Sequence, residues 1–270
     1  MRRFIPFLPK IPTVPVVRLG GMIAAGSRFG PTLSDAALAP VLERAFARGR
    51  PAAVALVVNS PGGSPVQSSL IAARIRRLAE ENSVPVHAFV EDVAGSGGYW
   101  LAAAADHIWV DETSIVGSIG VISAGFGFHE LIGRWGVERR VHTAGESKSF
   151  LDPFRPERAE DVARLDRVLE ALHASFIAHV RARRGAKLAD DPGLFTGEFW
   201  AGRRAVELGL ADGVAHLTPK LKELYGDKVR LVPLGTRRSL LQRFGADLPG
   251  LGAAALAAVE ERAMRARYGL

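Results

Sequence analysis

The chain contains no cysteine. Disulfides, thiolate nucleophiles and cysteine-ligated zinc are therefore excluded, and the composition fits a reducing compartment. Lysine is scarce: of 35 basic residues only Lys10, Lys148, Lys187, Lys220, Lys222 and Lys228 are lysines. No run of about 20 apolar residues occurs, so no transmembrane helix is expected. Neither GxxxxGK[ST] nor G-x-G-x-x-G follows the first glycine turn, which disfavours a nucleotide-phosphate loop.

What is present describes an ordinary globular protein. Of 270 residues 48% are hydrophobic and 23% charged, with a formal net charge of +7. At this length a chain buries about 75% of its unfolded surface, enough for a full core without staples. The basic residues are scattered among acids, so nucleic acid is not an expected partner. The densest group, Arg181, Arg183 and Arg184, closes a predicted helix, where it complements the helix dipole.

The N-terminus starts Met1-Arg2-Arg3, but Pro6, Pro9 and Pro12 cut its apolar run. It reads as a proline-rich lead-in, residues 1–12, and not as a signal peptide. Phe4, Ile5, Phe7 and Leu8 offer a sharper alternative, a peripheral contact with a membrane surface. The expected location is cytoplasmic, with that contact as its only membrane link.

Residues 13–215 alternate buried strands with helices. Strands are expected at 14–23, 52–58, 84–90, 107–110, 114–122, 137–142 and 229–232. Helices are expected from 34 or 35 to Gly49, at 65–81, from an opening at Gly95-Ser96-Gly97-Gly98 through Ala105, and at 129–135, 156–184 and 217–225. This order implies an α/β protein with a mostly parallel sheet of βαβ units. Residues 216–270 read as a helical C-terminal extension of the same domain.

Two glycine turns carry the chemistry. Asn59-Ser60-Pro61-Gly62-Gly63 follows a buried strand and precedes a helix, where ligands bind in parallel α/β sheets. Adjacent glycines let the backbone approach a ligand and leave N–H groups free for an anion. A plain strand-to-helix turn is the alternative. Gly95-Ser96-Gly97-Gly98-Tyr99 repeats the arrangement. A serine between glycines there has an exposed hydroxyl, by the logic of a nucleophile elbow, although G-x-S-x-G itself is absent. The plain alternative is an N-cap serine.

A nucleophilic serine needs a base. None of the seven histidines (87, 107, 129, 142, 173, 179 and 216) has a setting that marks a catalytic partner, and each reads as structural. Lysine is the other candidate. Its free pKa of ~10.4 must fall to roughly 7–8 before it can accept a proton, through burial away from acids. Lys148, in Gly145-Glu146-Ser147-Lys148-Ser149, stands out because arginine serves most other basic positions and cannot act as a base. A solvated loop lysine is the alternative.

Together these segments resemble the signal peptide peptidase A family, the S49 serine peptidases. The matching pieces are Asn59 to Gly63, Ala94 to Tyr99, Val116 to Val121, Thr143 to Ser149 with Asp152 to Phe154, and Trp200 to Asp212, in family order over residues 14–215. The resemblance implies a ClpP/crotonase-like fold and a serine endopeptidase with a Ser–Lys dyad. It makes Ser96 the nucleophile and Lys148 the base, 52 residues apart. Ser118 would orient the lysine, and the Gly63 and Gly97 amides would form the oxyanion hole. Neither metal nor cofactor is implied. Val66, Leu70, Tyr99 and Trp100 are candidates for the substrate pocket. Signal-peptide remnants or other hydrophobic, unfolded peptides are the implied substrates. The resemblance also implies a ring- or dome-like homo-oligomer in which the dyad can cross an interface. Many relatives carry an N-terminal anchor, which this chain is expected to lack. Two other functions are compatible with the scaffold: an acyl-CoA hydratase or hydrolase using the same amides, and a non-catalytic scaffold at a membrane surface.

Overall fold

A computed structural model describes residues 11–26, 32–47, 49–145, 148–235, 259, 262–263 and 265–270. Phe4, Ile5, Phe7, Leu8 and most of the tail from Leu251 lie outside these residues.

Eight strands form one sheet: β1 (Thr13–Gly20), β2 (Val54–Ser60), β3 (Val86–Gly95), β4 (His107–Val110), β5 (Ile115–Gly117), β6 (Phe199–Ala201), β7 (Gly213–Val214) and β8 (Arg230–Leu234). Its order is β6-β5-β3-β2-β1-β8, with β4 and then β7 branching from β3. The fork arises because β3 is long. Its first half, 87–90, pairs with β4, while its end, 93–95, pairs with β5. Among the described residues only the β5–β6 pairing is antiparallel.

The helices are α1 (Asp35–Ala47), α2 (Pro65–Asn82), α3 (Gly97–Ala103), α4 (His129–Arg134), α5 (Ala159–Arg184), α6 (Gly202–Glu207) and α7 (Leu217–Tyr225). The start of α2 follows from local chemistry. Ser64 caps it by accepting from the Gln67 amide, and Pro65 occupies the first turn, where its missing N–H is harmless. At the other end Ser83 adopts a left-handed conformation, φ 52°. The Asp35 carboxylate takes two bonds from Arg74, at 2.6 and 2.7 Å, tying α1 to α2.

Alternation along the strands separates two cores. Leu56, Val58, Ala88 and Val90 face the main cluster, which they share with residues of α1, α2, α3 and α5. Ala55 and Phe89 face the other side, where α7 covers them with Leu221. Strand β2 is thus buried on both faces, as its unbroken apolar run requires. Burial of this kind makes removal of a side chain such as Leu56 expensive, about 2–5 kcal/mol for Leu→Ala.

Two sequence expectations change. The strand foreseen at 114–122 is only three residues long, because Ser118 takes a left-handed conformation (φ 55°) and turns the chain. Residues 137–142 form no strand: all but half-buried Val141 lie exposed, and the segment pairs with no described strand. The arginine group at the end of α5 also does more than face a helix dipole. Arg183 donates to the carbonyls of Ala103 and Ala105, Arg181 lies over the Phe195 ring, and buried Arg184 pairs with Asp212 at 2.8 Å.

Candidate active site

The site forms where β2, β3 and β5 end. Gly95 and Gly117 are partners in the parallel ladder. Ser96 and Ser118 therefore leave neighbouring strands side by side, and both lie at positive φ. Ser96 sits at φ 51°, ψ −120°, a conformation that costs a non-glycine residue about 1–3 kcal/mol and persists only where its surroundings impose it. Two main-chain bonds do so: the Ser96 amide donates to Gly117 O at 2.9 Å, and Ser96 O accepts from the Trp100 amide at 3.0 Å. The hydroxyl does not cap α3. Among the described residues it has no hydrogen-bond partner, so the N-cap alternative fails.

The β2–α2 turn closes over this serine. A Cβ on Gly62 would come within 2.9 Å of both the Gly97 amide nitrogen and Ser96 Cβ, and one on Gly63 would come within 2.1 Å of Ile23 O. The turn is pinned from below by Ser60, whose hydroxyl donates to Gly21 O at 2.7 Å and accepts from the Gly62 amide at 3.2 Å. Among the described residues, no group accepts from the amides of Gly63 or Gly97. Gly63, Ser96, Gly97, Trp100 and Ser118 line one cavity of about 480 Å³.

Lys148 is not among the residues lining that cavity. It lies on the exposed arm that also carries α4. Its amide donates to Gly145 O at 3.2 Å, and its Nζ makes no ion pair with any described residue. On the same arm Phe126 is 81% exposed and Trp135 79% exposed.

Val66, Leu70 and Trp100 line a separate cavity of about 500 Å³ between α2 and α5. Trp100 also lines the serine cavity, so it forms the wall between the two. Tyr99 is a correction: it is fully buried in the core and its hydroxyl donates to Leu210 O at 2.9 Å, so it lines neither cavity.

No histidine lines the serine cavity. His179 stacks on Trp100 and donates Nε2–H to its carbonyl at 3.0 Å, and burial lowers its pKa to about 4. His87 is likewise lowered to about 4, first by burial and then by the nearby His107. It binds Tyr225 Oη at 2.8 Å on the far side of the sheet. These are structural rings.

Among the residues of the cavity that sequence reasoning missed are Arg267 and Tyr268. The Tyr268 ring packs edge-on against Phe199, with centroids 5.1 Å apart. Nothing in the alanine-rich tail marks such a contact. The only signal is indirect: Gly95 admits the phenol, because a Cβ there would lie 2.5 Å from Tyr268 Oη.

A glycine-framed serine at the carboxyl end of a parallel sheet, beside free main-chain amides, is the arrangement of an acyl-transfer hydrolase. The family model for peptidase family S49 matches residues 79–228, and the chain belongs to that family. It is 33% identical over 171 residues to a protein of Methanocaldococcus jannaschii that carries the name of a protease, covering 63% of this chain and 54% of that one. It is 30% identical over 218 residues to the chloroplastic serine protease SPPA of Arabidopsis thaliana, covering 76% of this chain and 31% of that one. A protein of Brucella melitensis named Na(+)/H(+) antiporter NhaA is 49% identical over 289 residues, covering all of this chain but 39% of that protein. The chain thus spans well under two thirds of these relatives. The antiporter name has no counterpart in the fold: among the described residues no helix is long and apolar enough to cross a membrane.

Proposed function

We propose that the chain is a serine endopeptidase that works through Ser96, Lys148 and an acyl-enzyme, on signal-peptide remnants or other hydrophobic, unfolded peptides. The observation that carries this is the single cavity joining the unpartnered Ser96 hydroxyl to the Gly63 and Gly97 amides. In the reaction, neutral Lys148 takes the Ser96 proton as Oγ bonds to the scissile carbonyl carbon. The carbonyl π pair moves onto oxygen, where the two amides donate to it. Such donors are worth about 2.7–4 kcal/mol each. Collapse breaks the C–N bond, and the Lys148 ammonium protonates the leaving amine. Lys148 then deprotonates a water that attacks the ester, and Ser96 recovers its proton. Ser118, beside Ser96 on the neighbouring strand end, accepts from the lysine and orients it.

A base of this kind must be desolvated, and Lys148 is exposed in the single chain. A second copy of the chain supplies the missing cover, with Lys148 reaching the Ser96 of its neighbour. The exposed apolar side chains Ile122, Phe126, Leu131, Trp135 and Val137 support this reading, since patches of this kind mark interaction surfaces. The test is covalent labelling by a fluorophosphonate probe. Ser96 is labelled in the wild type, labelling is lost in Ser96→Ala, and it is much slower in Lys148→Ala. A folded wild type that takes no label overturns the proposal.

A further inference from the structure

Among the described residues, the cavity around Ser96 is lined by apolar, hydroxyl and glycine residues and by one charged side chain, Arg267. Among the described residues Arg267 has no ion-pair or hydrogen-bond partner, and the residue is exposed. The segment that carries it is held in place. Tyr268 is 8% exposed, wedged between Phe199 and Gly95, with its hydroxyl 3.4 Å from Pro61 O. Three residues earlier Arg265 donates to Asn59 Oδ1 at 3.4 Å and lies 4.0 Å from Asp92. Asn59, Pro61 and Gly95 among these anchors lie at the ends of β2 and β3, where the site forms. The guanidinium is therefore presented to the cavity by a docked segment.

We propose that Arg267 is a specificity-determining residue that reads a carboxylate on the bound peptide, with Tyr268 as its positioning residue. This rests on the peptidase reading above. A guanidinium pairs with a carboxylate through two parallel bonds, and a cavity whose described lining holds one cation and no acid favours anionic over cationic peptides. The carboxylate is either an acidic side chain or a free peptide C-terminus.

The experiment measures how well matched peptide pools protect Ser96 of the full-length protein from the fluorophosphonate probe. One pair differs by Glu against Gln at internal positions, another by a free against an amidated C-terminus, and a third pool carries Lys in place of Glu. Protection is compared as a ratio within each variant, so a general loss of activity does not imitate the effect. The wild type is protected at about fivefold lower concentration by the carboxylate-bearing member of one pair, a size set by an exposed ion pair. The pair that responds identifies the source. Arg267→Gln brings that ratio to one, and Arg267→Glu shifts preference to the lysine pool. Equal protection of the wild type by both members of each pair overturns the inference, as does a preference that survives Arg267→Gln. A wild type that takes no label fails the peptidase reading itself, a result distinct from labelling without preference.

Discussion

Gly95 and Gly117 face each other across the β3–β5 ladder, and the next residue on each strand is a serine at positive φ. The pair is bound into one unit by the Ser96 amide, which donates to Gly117 O. This register brings two serines to the same cavity from positions 22 residues apart in the chain.

The strain at Ser96 is measurable. Ser96→Gly relieves it, whereas Ser96→Ala keeps it. Offset by the entropy that glycine adds to the unfolded chain, the gain is about 1 kcal/mol, so Ser96→Gly melts about 2–4 °C above Ser96→Ala. Both variants lose labelling. Equal melting temperatures for the two would remove the strain argument.

If the dyad crosses between copies, mixing tests it. Ser96→Ala keeps its lysine and Lys148→Ala keeps its serine. Co-refolded, they regain labelling on the Lys148→Ala subunits, to the extent that mixed neighbours form. A mixture no more reactive than Lys148→Ala alone places both groups in one subunit. Trp135→Glu, on the exposed arm, lowers the oligomer size seen by light scattering and lowers labelling with it.

Arg184 and Asp212 form a buried pair, and Asp212 also accepts from the Ile108 amide and Lys187. Removing one partner strands the other. Asp212→Ala therefore destabilises by about 3–5 kcal/mol in urea unfolding. A loss below 1 kcal/mol would show that water reaches Arg184 readily.

Stability falls in mild acid. His87 and His179 have folded pKa values of about 4 against 6.5 in the free side chain, first because each is buried. Below pH 6.5 the unfolded chain takes up protons that the folded chain refuses. Their contribution is complete above pH 6.5 and is lost as the pH falls towards 4, on the order of 3 kcal/mol for each ring. Asp212, held at about 2 mainly by its bonds to Arg184 and Lys187 against the opposing effect of burial, adds a loss at still lower pH. Urea midpoints at pH 7, 5.5 and 4.5 should decline steadily. A flat series would mean that neither ring is buried in solution.

Much of this was legible in the chain. The apolar run of β2, the Ser64-Pro65 start of α2 and the Leu217–Tyr225 helix obey local rules, and the structure follows them. The family membership rests on short motifs whose glycines are needed wherever they fall, as Gly63 shows against Ile23. The strand foreseen at 137–142 failed because alternation records which residues could face a sheet and says nothing about whether a partner strand arrives.

By itself the sequence determined most of the elements, their mostly parallel pairing and the residue types available for acyl transfer, because hydrophobic period and turn chemistry act over a few residues. Only the tertiary structure decided that Ser96 and Ser118 share a cavity, that Tyr99 serves the core, that Lys148 stands apart on an exposed arm and that Arg267 enters the site. Those outcomes depend on ladder register and on packing between residues as far apart as Arg265 and Asn59, 206 positions along the chain, and no local pattern encodes them.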